Sequence, residues 1–167
     1  KMVSMTVADP SPTPTRPRFD SPEQEAYLAL WRTYDRLRAY EDDLFGRFDL
    51  TAQQYNALRL LRAAHPDPLP TLAVADRLIS RAPDITRLLD KLEARGLVTR
   101  VRAAADRRSV LVGVTEPGLA LLDQISGPLA ECHARQLGHL SADELTRLTA
   151  LLHAARAPHE PAGGAWT

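Results

Sequence analysis

The apolar residues change their spacing at Gly96, and this change constrains the fold more than any other feature of the sequence. Before the glycine, apolar residues recur at three- and four-residue intervals, which is the spacing of one helix face. They are Ile85, Leu88, Leu89 and Leu92. Within residues 97–114 the apolar period becomes two, as in half-buried strands, around a polar stretch at 103–109. The sequence therefore predicts a helix that ends at a left-handed Gly96 and leads directly into a β-hairpin.

Capping residues mark where the other helices begin. A serine or threonine that can accept a backbone N–H precedes each of four helices, and two of the four add a Gln or Glu that completes a capping box. They are Ser21, Thr51 with Gln54, Thr115, and Ser141 with Glu144. We also expect Thr71 to cap a short helix over about 72–78, Pro83 to lie in the first turn of the helix before Gly96, and an irregularity at Gly127–Pro128.

The predicted elements form one mostly α-helical (α+β) domain with a winged helix-turn-helix at about 51–115. Long helices at about 22–48 and 116–157 flank it. Residues 1–20 hold four prolines among Ser and Thr, and they are expected to be a disordered arm. Residues 158–167 are expected to be a flexible tail.

Composition excludes several classes of protein. Charged residues interrupt every apolar run before the ~18 residues that a membrane span needs, so no membrane partner is expected. The N-terminus lacks a secretory pattern, and the single cysteine, Cys132, cannot form an internal disulfide. A cytoplasmic protein with a buried structural thiol is expected.

The net charge of zero conceals a basic middle segment. Between Arg77 and Arg108, nine basic and four acidic residues give +5, whereas residues 1–50 carry −2 and residues 109–167 carry −3. This segregation is typical of a protein with one face on phosphates. A merely solvated charged helix is the alternative.

The polar face of the helix before Gly96 carries the candidate DNA contacts. They are Ser80, Arg81, Asp84, Thr86, Arg87 and Lys91. In a major groove, Arg and Lys can bind guanine edges, Thr can bind acceptors or thymine methyl groups, and a helix N-terminus offers N–H donors to phosphate. Asp84 fits least well, unless it pairs with Arg81 or Arg87 or accepts from a cytosine amine. Ordinary surface charge is the alternative.

The tip of the hairpin holds Asp106-Arg107-Arg108. An arginine on a protruding hairpin suits the minor groove, where narrow A·T tracts concentrate negative potential. Arg107 and Arg108 are therefore candidate DNA contacts, with Asp106 as an orienting partner. The alternative is that these charges only keep the hairpin soluble.

Residues 80–98, SRAPDITRLLDKLEARGLV, closely resemble the recognition-helix signature of the MarR family of bacterial transcription regulators. Residues 106–118 are similar to that family's wing and the start of its fifth helix, and residues 140–145 to the opening of its last helix. The resemblance covers about 22–157. It implies a homodimer, interlocked through the first and the last two helices, that binds double-stranded DNA at a pseudo-palindrome with half-sites ~10 bp apart.

The resemblance also assigns roles to single residues. It places Thr86 and Arg87 at groove-facing positions and makes Arg107 the wing arginine. Alanines occupy 103–105, where family members often carry Asp and other charges, so Arg107 and Arg108 would carry more of the minor-groove binding.

Many members of the family are switched by small phenolic or other aromatic anions. By resemblance, residues on neighbouring turns of the first helix could line such a pocket, although an aromatic stripe is more often core. They are Tyr27, Trp31, Tyr34 and Arg38. Oxidant sensing by a cysteine near the first helix does not carry over, because Cys132 lies in the fifth helix.

The favoured function is a sequence-specific DNA-binding regulator, a repressor released by an aromatic or anionic effector. The five histidines lack ligand spacing, and there is no phosphate loop or nucleophile elbow, so no metal, cofactor or catalytic site is expected. Two alternatives remain open. One is a winged-helix protein-interaction module without DNA binding, favoured by the alanine-rich wing and zero net charge, and the other is an enzyme using the aromatic residues of the first helix.

Overall fold

The computed structural model describes residues 19–79, 84–103 and 109–160. The elements in these residues are α1 (Pro22–Gly46), α2 (Ala52–Ala64), β1 (Leu69–Pro70), α3 (Thr71–Arg77), α4 (Ile85–Ala94), β2 (Val98–Arg102), β3 (Val110–Val114), α5 (Glu116–Leu137) and α6 (Ala142–Arg156). The predicted succession of helices and hairpin is confirmed. A 3-10 turn at Ala157–His159 follows α6, and Arg156 forms an ion pair with Glu160.

The chain separates into two compact units, one ending at Arg36 and the other beginning at Leu37. In the first unit, every residue of α1 from Pro22 to Arg36 is exposed. The second unit contains the hydrophobic core, which α2 to α5, the end of α1 and the two longer strands build together.

Apolar burial holds the elements of the second unit together. Its fully buried larger side chains are Leu44, Leu58, Leu61, Val74, Leu89, Leu92, Val98, Val112, Leu122, Ile125 and Cys132. Each leucine removed from water contributes about 1.5–3 kcal/mol to folding. The rings of Phe45 and Tyr55 stack at 4.5 Å between α1 and α2. The predicted burial of the Cys132 thiol is confirmed.

A three-stranded antiparallel sheet of order β1-β3-β2 closes the domain. The predicted hairpin is confirmed: β2 and β3 pair from Val98 opposite Val114 to Arg102 opposite Val110. Strand β1 was not predicted, because two residues in a proline-rich stretch give no periodic signal. It pairs with β3 through Leu69 opposite Val112.

The predicted caps at Ser21, Thr51, Thr115 and Ser141 accept backbone N–H groups, and both capping boxes form. One other expectation is wrong. Thr71 is the first residue of α3 rather than its cap, because its hydroxyl donates to the carbonyl of Val110 at 3.1 Å instead. Helix α5 continues through Pro128 and ends at Leu137, and the irregularity at Gly127–Pro128 stays a prediction.

Candidate nucleic-acid interface

Helix α4 begins with a side-chain cap from Asp84. The Oδ1 atom of Asp84 accepts the backbone N–H of Arg87 at 2.9 Å. Helix α4 starts at Ile85, because the carboxylate satisfies an N–H group that the first turn leaves unpaired. Pro83, expected in the first turn, lies outside the described residues. An acid is also favourable at the positive end of the helix dipole. This accounts for the acid that fitted the predicted contacts least well.

The two faces of α4 have opposite roles. Leu88, Leu89 and Leu92 are buried in the core and hold the helix on the domain. The predicted contacts Thr86, Arg87 and Lys91, together with Asp90, are exposed on the other face. The structure thus places three cationic or hydroxyl side chains where a nucleic acid could reach them.

A shallow groove of about 380 Å³ joins α4 to the start of α2. Arg87 and Lys91 stand one turn apart along it, and Asp84 is at its edge. Thr51, Gln53 and Gln54 line the opposite side. Two cations next to a helix N-terminus make this groove favourable for a phosphate. That the start of α2 lines this groove was not predicted from the sequence, where Thr51 and Gln54 indicated only a helix cap.

A second hollow, of about 520 Å³, lies between α3, α4 and the β2–β3 hairpin, hereafter the wing. Thr86 and Arg100 line it from α4 and β2. Its other lining residues are Pro70, Thr71, Leu72, Ser109 and Val110. The predicted contact Thr86 thus lines the same hollow as Arg100 and the outer end of β3.

The C-terminal end of α4 is closed by a Schellman motif. Gly96 has φ +67°, and its N–H donates to the carbonyl of Glu93 at 2.8 Å, while the N–H of Leu97 donates to Leu92 at 3.0 Å. The predicted left-handed glycine is confirmed, and it turns the chain from α4 into the wing.

Arg95 ties this end of α4 to the turn between α1 and α2. Its Nη1 donates to the carbonyl of Asp49 at 2.6 Å and its Nη2 to that of Phe48 at 3.1 Å. The sequence suggested only that Arg95 suits the helix dipole. No local pattern could reveal partners 46 and 47 residues away.

Arg100 joins the wing to α4. Its Nε and Nη2 donate to Glu93 Oε2 at 2.9 and 2.5 Å, and Nη2 also lies 2.6 Å from Asp90 Oδ1. The hydrogen bond to Glu93 raises the pKa of Arg100 above its ordinary value. In the sequence, Arg100 is only one of several basic residues of the middle segment. A signal was present, since Arg100 is two residues beyond buried Val98 and so shares its face of β2.

Four of the predicted DNA contacts lie outside the described residues. They are Ser80, Arg81, Arg107 and Arg108. Asp106 and two of the alanines, 104 and 105, lie there too. The described ends of this loop meet where the N–H of Ala103 donates to the carbonyl of Ser109 at 2.9 Å.

The predicted effector-binding aromatics are on the surface of the single chain. Tyr27, Trp31 and Tyr34 are 63, 60 and 59% exposed in the single chain, so the alternative that this stripe is core requires a partner chain to cover it. The rings of Tyr27 and Trp31 are 6.1 Å apart at 55°. In the second unit, the Nε atom of Arg38 donates to Asp42 at 3.2 Å.

Across 19–79, 84–103 and 109–160, no three His, Cys, Asp or Glu side chains group as metal ligands would. No helix in these ranges combines the length and the apolar character that crossing a bilayer requires.

Among known proteins, this chain is similar to bacterial transcription regulators. A MarR family model matches residues 48–109. The HTH-type transcriptional regulator PecS of Dickeya dadantii (strain 3937) is 30% identical over 112 residues, 66% of this chain and 68% of its own. The homoprotocatechuate degradative operon repressor of Escherichia coli is 26% identical over 75% of this chain and 83% of its own.

Solved structures agree with these relatives. A MarR transcription factor from Planctomyces limnophilus has 57% identity and a TM-score of 0.66, over 82% of this chain and 99% of its own. A mutant of Escherichia coli MarR complexed with operator DNA has 25% identity and a TM-score of 0.71, over 78 and 93%. Bordetella bronchiseptica BpsR, whose DNA binding is regulated by 6-hydroxynicotinic acid, has 25% identity and a TM-score of 0.70, over 78 and 98%. With its capped, outward-facing α4 and its wing, the chain belongs to the MarR family of DNA-binding transcription regulators, which are not enzymes.

Proposed function

We propose that this protein is a repressor that binds a pseudo-palindromic operator as a homodimer and leaves it when a small aromatic or anionic effector binds. The observation that carries the proposal is the division of α4, whose leucines are buried while Thr86, Arg87 and Lys91 are exposed. A helix held in this way can enter a major groove without rearranging the domain. Operator DNA is bound by the related MarR of Escherichia coli, and repression is the function of the homoprotocatechuate operon relative.

Exposed apolar surface supports the homodimer. Helix α6 has no buried residue, and Leu148, Leu151 and Leu152 share one of its faces at three- and four-residue spacing. Leu151 is 69% exposed. Contiguous apolar surface of this kind marks a protein–protein contact, and a second copy would remove it from water. A two-fold dimer would present two α4 helices to half-sites about one DNA turn, ~10 bp, apart.

Exposed aromatic surface supports the effector. Tyr27, Trp31 and Tyr34 offer ring faces that an aromatic ligand can stack on. In the second unit, Arg38, which is ion-paired with Asp42, is the predicted partner for a ligand carboxylate. The related BpsR responds to an aromatic acid, 6-hydroxynicotinic acid. A ligand that binds the DNA-free conformation more tightly would shift the protein away from its operator.

Selection of duplexes from a random pool by the full chain tests the proposal. Enrichment of an inverted repeat with half-sites ~10 bp apart is expected, because a two-fold dimer repeats its contacts once per turn. Adding 6-hydroxynicotinic acid or another aromatic acid should release the selected duplex. Sedimentation should give twice the 18.4 kDa mass of one chain. If no sequence is enriched above background, the DNA-binding function is wrong and the protein-interaction module is favoured.

A further inference from the structure

The geometry assigns Arg100 a positioning role: by bridging Glu93 and Asp90, it fixes the orientation of the wing relative to helix α4. The inference rests on the DNA binding proposed above. Through this bridge the protein holds α4 and the wing, its two candidate DNA-contacting elements, in a fixed relative orientation. Arg100 itself is not assigned a contact with DNA.

The bridge is built for geometric control. Asp90 and Glu93 are three residues apart on α4, so their carboxylates stand on neighbouring turns of one face. The planar guanidinium of Arg100 reaches both, with three donor–acceptor distances between 2.5 and 2.9 Å. A rigid fork held at two carboxylates restrains direction as well as distance, which a single ammonium would not do.

The position of Arg100 along β2 makes it the place where the outer half of the strand is restrained. Val98 is buried in the core, whereas Thr99, Val101 and Arg102 are exposed. The side chain of Arg100 is only 23% exposed, compared with 53% for Asp90. Beyond Val98, β2 is therefore linked to α4 by the charged contact of Arg100, while β3 is held by its pairing with β1 and by the hydroxyl of Thr71, which donates to the carbonyl of Val110.

The direction in which DNA affinity changes on removal of Glu93 tests the inference. Glu93 is an acid in the element proposed to face phosphates, so its removal should strengthen DNA binding if charge alone matters. If Glu93 anchors Arg100, its removal should instead weaken binding, because the wing loses its fixed direction. The two explanations predict opposite changes for one substitution.

The experiment compares two variants with two matched controls. Glu93→Ala and Arg100→Gln each break the bridge. Asp76→Ala makes the same charge change as Glu93→Ala at an exposed acid of α3, and Arg102→Gln the same change as Arg100→Gln two residues along β2. Each full-length variant is titrated over a salt series with a duplex selected by the wild-type protein and with a random-sequence duplex.

Both bridge variants should bind the selected duplex roughly 10-fold more weakly, the scale of one lost charge-assisted bond, and the random duplex within about 2-fold of wild type. Their log–log salt slopes should stay within about 0.5 of wild type, since no phosphate contact is lost. Asp76→Ala should bind at least as tightly as wild type. Arg102→Gln should affect both duplexes equally, because it removes charge without breaking the bridge.

Several results would overturn the inference. Glu93→Ala binding the selected duplex as tightly as wild type, or more tightly, would leave no positioning role. Arg100→Gln weakening both duplexes equally, with the slope reduced by about 0.9, would make Arg100 a phosphate contact instead. If one variant does not fold, as judged by thermal unfolding, the other decides; if neither folds, the bridge holds the domain rather than orienting its wing. Absence of selective binding by the wild type would instead refute the proposed function.

Discussion

The carboxylate of Asp84 accepts the backbone N–H of Arg87, and this bond starts the helix that carries the candidate DNA contacts. An acid at the edge of a basic surface therefore has a use within the helix itself. It fixes the first turn of α4 and so the direction in which Arg87 leaves the helix. The cap and the cationic face are thus connected directly, because the N–H group that Asp84 accepts belongs to Arg87.

Removing this cap should cost stability. Asp84→Ala is expected to lower the free energy of unfolding by about 1 kcal/mol, because one N–H of the first turn loses its acceptor. Asp84→Asn should retain almost all of it, since an asparagine oxygen caps equally well. Urea unfolding of the two variants measures the difference. Equal stability of Asp84→Ala and wild type would contradict the capping role.

The cations on the exposed face of α4 should contribute to DNA affinity. Arg87→Ala and Lys91→Ala are each expected to weaken operator binding. The loss should be about 1–3 kcal/mol if the residue contacts a base. If it contacts a phosphate, the slope of log affinity against log salt concentration should fall in magnitude by about 0.9. Arg107→Ala should also weaken binding through the minor groove. Arg47→Ala, an equal charge loss at the end of α1, is the control and should change affinity little. Full affinity in Arg87→Ala and Arg107→Ala would refute the assigned interface.

The turn from α4 into the wing should depend on glycine. Gly96→Ala is expected to destabilise the fold by about 1 kcal/mol, because a residue with a Cβ atom is sterically strained at this positive φ. The added methyl group would contact nothing within 4 Å, so this cost comes from the backbone alone. Gly46→Ala, at the end of α1, also has open space and should be neutral or stabilising. Matching urea midpoints for Gly96→Ala and wild type would show that the left-handed turn is not needed.

Because of Cys132, the free energy of unfolding should decrease as pH rises in the alkaline range. Burial raises the pKa of its thiol above the ordinary value of 9.0, so the unfolded chain ionises first as pH rises. The stability from keeping this thiol neutral is complete below pH 9 and is lost as pH rises through the folded pKa. Cys132→Ala removes this dependence at the cost of a small cavity. Between pH 7 and 10, the difference in free energy of unfolding between wild type and Cys132→Ala should become smaller above pH 9. A difference that stays constant would disprove the effect.

Local patterns predicted most of the fold, because most of the helices carry their own apolar period and their own cap. Thr51, Thr115, Ser141 and Gly96 each signal a boundary within a few residues of sequence. Strand β1 was missed because its existence depends on pairing with β3, some 40 residues later.

The candidate site divides in the same way. The exposed face of α4 follows from helical periodicity, so Thr86, Arg87 and Lys91 could be found in the sequence. The bonds of Arg95 and Arg100 could not, because their acceptors are set by how α4 packs on the α1–α2 turn and on the wing. Asp84 was placed in the right helix but given the wrong position in it.

The two arginine tethers of α4 differ in what they hold. Arg95 donates to the backbone carbonyls of Phe48 and Asp49, whereas Arg100 donates to the side-chain carboxylates of Glu93 and Asp90. A substitution on either side therefore alters the contact between α4 and the wing. The contact between α4 and the α1–α2 turn can be removed by substitution only at Arg95, because its acceptors belong to the backbone.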